Sequence, residues 1–117
     1  MRLGEIYFAL VLFLVLPCIS LAIEGIKSER VQFPEGETKV SISAQIVGDE
    51  TVDYLLKVKE GQELRVSLKT GNGANYFNIL APNEDYIAFF NGSLSDPLNE
   101  YSGKVPASGD LKIRVYL

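Results

Sequence analysis

Chemistry in this chain has to come from carboxylates, hydroxyls and amides. Its 117 residues include no His and one Cys, Cys18. That excludes Ser-His and Cys-His nucleophiles, the usual zinc ligand sets and an internal disulfide. Hydrolysis by acids alone would need two converging carboxyl groups, one of them in an apolar setting that raises its pKa. The acids here fall in turn sequences (Asp49, Glu50, Glu60, Glu84, Asp85) or at an outward strand position (Asp53), where charges are normally solvated. The expectation is a protein that binds and does not catalyse, with no cofactor and no metal.

Four further groups could bind something. Thr70-Gly71-Asn72-Gly73 has the glycines of a phosphate cradle but not the Lys-Ser/Thr that follows one, so it reads as a plain connection. Asn91-Gly92-Ser93 fits a glycosylation sequon and, more simply, a hairpin turn. Tyr76, Phe77, Tyr86, Phe89 and Phe90 could form a sugar-stacking platform, although aromatics are favoured in any strand. Ser108-Gly109-Asp110 reads as a hairpin turn. It also reads as a protruding loop whose hydroxyl and amides could plug a carboxylate-lined cleft, gaining charge-assisted hydrogen bonds.

Strands must position these groups. Val40, Ile42, Ala44 and Ile46 alternate with Ser41, Ser43 and Gln45, the period of a half-buried strand. Val52 to Lys59 and Leu64 to Lys69 alternate again around Glu60-Gly61-Gln62, which predicts a hairpin. Tyr76 to Leu80, Tyr86 to Phe90, Tyr101 to Val105 and Leu111 to Leu117 complete the set, with Thr70 to Asn75 and Ser93 to Glu100 as loops. No segment after residue 22 has a helical period. The fold class expected is all-β, an antiparallel β-sandwich of about six to seven short strands behind an N-terminal signal helix.

That helix is read from Met1 to Ala22. Arg2 precedes an apolar run from Ile6 to Leu16, Pro17 breaks it, and Ser20-Leu21-Ala22 offers small residues for cleavage after Ala22. The run is shorter than the ~20 apolar residues that span a bilayer. Lipoprotein processing at Cys18 is the alternative, although Pro17 stands where a small residue is wanted. The expectation is a periplasmic or secreted single domain over residues 23–117, with no stable membrane association after cleavage. Cleavage removes Arg2 and Glu5, one charge of each sign, so the net charge stays at −4. An acidic balance argues against nucleic acid as a partner.

Three stretches carry a family resemblance: Tyr54 to Leu68, Ala74 to Leu80 and Ala107 to Tyr116, with Phe89-Phe90-Asn91-Gly92-Ser93 adding to them. From about Ser28 onward the chain resembles the bacterial periplasmic lysozyme inhibitors, the invertebrate-type most closely and the goose-type next. The Lys59 to Leu68 portion is shared with β-sandwich domains appended to secreted peptidases. The resemblance implies a β-sandwich that inserts a Ser-Gly loop into the substrate cleft of a lysozyme, here Ser108, Gly109, Asp110 and Leu111. Leu111 stands where the family has a Tyr, and the family continues beyond this point with an Arg-rich segment and a further strand. On that comparison the chain is truncated at Leu117, and the sheet edge left open could be completed in a homodimer. The alternative function is a carbohydrate- or protein-binding module without inhibitory activity.

Overall fold

The structure is a computed structural model that describes residues 2–9, 21–23 and 26–117. It is all-β: the described residues form ten strands in two sheets and contain no helix. In chain order the strands are β1 (Arg2–Ala9), β2 (Leu21–Ile23), β3 (Ile26–Arg30), β4 (Lys39–Ile46), β5 (Thr51–Val58), β6 (Glu63–Thr70), β7 (Tyr76–Leu80), β8 (Phe90–Asn91), β9 (Glu100–Lys104) and β10 (Gly109–Tyr116). One sheet has the order β4-β1-β6-β9, the other β2-β3-β5-β10-β7-β8.

The alternating sequences fold as alternation requires. Along β6 and β10, Leu64, Val66 and Leu68 and then Leu111, Ile113 and Val115 are buried, while the residues between them face outward. Both sheets contribute to one apolar cluster: Ile46 and Val66 from the first, Tyr54, Leu56, Phe77, Ile79 and Ile113 from the second. Phe33, in the β3–β4 connection, is 1 % exposed and joins the same cluster. The layout is sandwich-like, and burial of these side chains, at roughly 1.5–3 kcal/mol each, is its main source of stability.

Several expectations are corrected. β5 and β6 are not a hairpin. Each pairs within a different sheet, and the Lys59–Gln62 turn carries the chain from one to the other. Their alternation buries one face of each strand equally well across two layers as within one, so periodicity does not distinguish the cases. The pairing is not wholly antiparallel, because β3 runs parallel to β5. Of the stretch Tyr86 to Phe90, only Phe90 is in a strand. Tyr86 and Ile87 lie in the preceding loop, 89 % and 71 % exposed.

The N-terminal helix is also not seen where the chain is described. Arg2–Ala9 is a strand, antiparallel to β4 along Arg2–Ala9 and to β6 along Gly4–Phe8. Ile6 stands opposite both Ile42 and Leu68, and Phe8 opposite both Val40 and Val66. Gly4, Ile6 and Phe8 thus stand in register with Ala44, Ile42 and Val40 of β4 and with Thr70, Leu68 and Val66 of β6. The segment's own period-two pattern (Ile6, Phe8 against Glu5, Tyr7) fits a strand as well as a leader. Pro17, Cys18 and Ser20, on which the cleavage and lipoprotein readings rest, lie outside the described residues. Among the described residues no helix is long and apolar enough to cross a membrane.

Candidate functional site

The Ser108 end of the molecule is built from two connections that hold each other. The β5–β6 turn closes on itself through Gln62 N–H to the Lys59 carbonyl (3.1 Å) and Lys59 N–H to Gln62 Oε1 (2.7 Å). Gly61, at φ +86°, supplies the left-handed residue this turn needs. The β9–β10 link then docks on the turn. Gly61 N–H donates to the Val105 carbonyl (2.9 Å), and Val105 N–H donates to the Gln62 carbonyl (2.8 Å). Glu60 N–H donates to Ser108 Oγ at 2.9 Å.

Each residue expected in the plug has a definite place. Ser108 is exposed at the tip of the link. Gly109 is half-buried at the first position of β10, opposite Val58, with φ +132°. A Cβ there would come within 3.0 Å of Pro82, so backbone conformation and packing both call for glycine. Asp110 is exposed and accepts a fork from Arg30, Nη1 to Oδ1 at 2.9 Å and Nη2 to Oδ2 at 2.8 Å. Those bonds hold its carboxyl below the usual carboxylate range. Leu111 is the correction: it is 0 % exposed, in the core opposite Leu56, and cannot touch a partner. The strand period that exposes Asp110 must turn Leu111 inward. The tip that can reach another molecule is therefore Ser108, flanked by Ala107 and the Glu60-Gly61 turn, and not a four-residue finger.

The outward face of β10 is tied down along its length. Arg114 makes a bidentate pair with Asp53 (Nε to Oδ1 2.7 Å, Nη2 to Oδ2 2.9 Å) and donates to the Asp85 carbonyl. That pair raises the Arg114 pKa further. Lys112 donates to Asp85 Oδ1 (2.6 Å) and to the Glu84 carbonyl (2.8 Å), pulling the Asp85 carboxyl down from its ordinary value. Tyr116 donates to Asn78 Oδ1 at 3.1 Å. Asp53, expected as a solvated charge, is 4 % exposed, because Arg114 covers it.

The five aromatics do not make one platform. Phe77 is fully buried, with Phe90 stacked on it at 5.4 Å, and Tyr101 meets Phe90 edge-on at 5.0 Å. Tyr86 stands apart on the surface. Asn91 pairs with Asn78 in β8, and Gly92 is buried against Asn99 and Phe77, so Asn91-Gly92 is not a free hairpin turn.

Sequence reading missed Arg30 and the anchoring role of the Glu60 amide. Ile26–Arg30 does not alternate, and a backbone donor leaves no trace in residue types. No protein-family model, curated protein or solved structure matches this chain.

Proposed function

We propose that the chain is an exported, non-catalytic lysozyme inhibitor whose Ser108 tip enters the enzyme's substrate groove. The observation that carries this reading is the state of the Ser108 hydroxyl. Its oxygen accepts from Glu60 N–H, which holds the hydroxyl in place at an exposed tip and leaves its own proton available to an outside acceptor. A lysozyme keeps two carboxyl groups at the base of its groove, and a hydroxyl donating to one of them forms a charge-assisted bond. Arg30 supports the same reading by neutralising Asp110, which would otherwise carry a bare negative charge towards those acids. The net charge of −4 favours encounter with a basic enzyme, chiefly through the on-rate and at low salt.

In this reading the body is a β-sandwich that keeps the tip rigid and performs no chemistry. The invertebrate-type enzyme is the first target to test and the goose-type the second. Export rests on the Ile6 to Leu16 run and the small residues before Ile23.

The test is lysis of peptidoglycan by invertebrate-, goose- and chicken-type lysozymes with and without the protein. Loss of one activity at near-stoichiometric protein supports inhibition. Retention of all three overturns it. The second reading, a binding module without inhibitory activity, draws on the exposed Tyr86, Ile87 and Leu94. Sedimentation with peptidoglycan while all three activities persist would favour it.

A further inference from the structure

At the opposite end of β6 from Ser108, the Thr70–Asn75 loop and the Leu98–Asn99 corner enclose a cleft of about 400 Å³. We propose that this cleft binds a neutral polyhydroxylated ligand, one sugar unit of a glycan. Asn75 lines it and is 2 % exposed, and its Oδ1 has no hydrogen-bond donor within the protein. A buried acceptor left unpaired is costly, so a ligand that brings a hydroxyl or amide proton to it relieves part of that cost.

The neighbouring Asn99 amide does not supply the proton. Asn99 Nδ2 donates to the Asn75 carbonyl (3.0 Å) while its Oδ1 accepts from Phe77 N–H (3.2 Å), so that side chain is tied to the start of β7 and makes no bond to Asn75 Oδ1. The remaining lining suits a sugar. Thr70 and Asn72 offer polar groups, Tyr76 is half-buried, and Leu98, 55 % exposed, gives an apolar face for ring C–H groups. No acidic side chain lines the cleft, which disfavours a cation. Asn75 Oδ1, an unpaired carbonyl-type acceptor, disfavours an anion although Lys69 is also among the lining residues. The volume lies in the range of small-ligand sites, about 300–1,000 Å³.

The experiment is an amide-resolved NMR titration of the full chain with maltotriose, cellotriose and N,N′,N″-triacetylchitotriose, and with inorganic phosphate as the anionic control. The proposal predicts saturable shifts at Gly71, Gly73, Tyr76 and the Asn75 side-chain amide with at least one sugar, with a Kd in the millimolar range, about −4 kcal/mol. The surface variant Leu98→Ser should keep the fold and weaken that binding several-fold. Asn75→Asp, which replaces the amide by a charge, should shift the preference away from the neutral sugar. Absence of saturable shifts with every sugar, shifts confined to the Ser108 end, tighter binding of phosphate, or unaltered sugar affinity in Leu98→Ser would each overturn it.

Discussion

Ser108 is the residue on which the inhibitory reading turns. Replacing it with Ala removes one donor at an exposed tip together with the acceptor for Glu60 N–H, and leaves the core intact. Ser108→Ala should weaken inhibition about ten-fold or more, as expected for a bond to a charged acceptor worth ~1.5–3 kcal/mol, with only a small fall in melting temperature from the lost Glu60 N–H bond. An inhibition constant equal to that of the parent would remove the tip from the mechanism. Leu111 behaves in the opposite way. Family resemblance alone would make Leu111→Tyr a gain of binding, but the side chain is in the core. The substitution should instead destabilise by roughly 1–3 kcal/mol through overpacking, measurable by urea unfolding, without improving inhibition. Asp53→Ala leaves the largely enclosed Arg114 guanidinium without its carboxylate, holding only the Asp85 carbonyl. Loss of one partner of a buried pair costs about 3–5 kcal/mol, and the partial exposure of Arg114 places the expected value at the lower end.

Among the elements, the Gly92–Asn99 contact shows how little slack the short strands have. A Cβ on Gly92 would fall on Asn99 Oδ1 and the Phe77 carbonyl, and Gly92 N–H donates to that carbonyl at 2.7 Å. Gly92→Ala should therefore detach β8 from β7, which hydrogen exchange at Phe89 and Gly92 would register. β3 and β10 are linked by Arg30–Asp110, and acid acts there. The folded Asp110 pKa lies below its unfolded value, so the pair's contribution is complete above the unfolded pKa. It is lost as pH falls through the lower folded value. Asp110→Asn should flatten that limb of the stability–pH curve. At the alkaline side, burial, with Glu29 adding to it, raises Tyr54 to about 12. Its contribution is complete below the unfolded pKa of 10.0 and fades as pH rises to about 12, which Tyr54→Phe should abolish. Alternation made β4, β5, β6 and β10 legible from residue types, because the apolar core residues of each fall at every second position. It was silent on which sheet each joins, since β5 and β6 present the same pattern to a shared core. It was silent too on β3, whose Ile26–Arg30 pattern is irregular. Ser108 was legible as a surface tip, but the Arg30 fork and the Glu60 amide join positions far apart in sequence and have no local mark.

For the molecule as a whole, β1 sets the proposed export against folding, because the residues read as a leader include a strand of the sheet. Among the described residues, β4 is hydrogen-bonded in its sheet to β1 alone. A chain beginning at Ile23 leaves β4 and β6 as edges one strand apart, with a row of unpaired amides on each. That chain should unfold at lower urea than the full one and show faster exchange at Ser41, Ser43 and Gln45, and it should recover protection when a peptide of Arg2–Ala9 is added. Equal exchange at β4 in both chains would show that the N-terminal residues are only a leader. The two poles of β6 carry a different consequence. Glu63 beside the Ser108 tip and Thr70 beside the Asn75 cleft are separated by one eight-residue strand, roughly 25 Å at the usual rise. Neither occupant would crowd the other, so an enzyme at one pole and an oligosaccharide at the other should coexist in a ternary complex with additive free energies. A protein anchored to the cell-wall polymer through one pole would then keep the other available to the enzyme that digests that polymer.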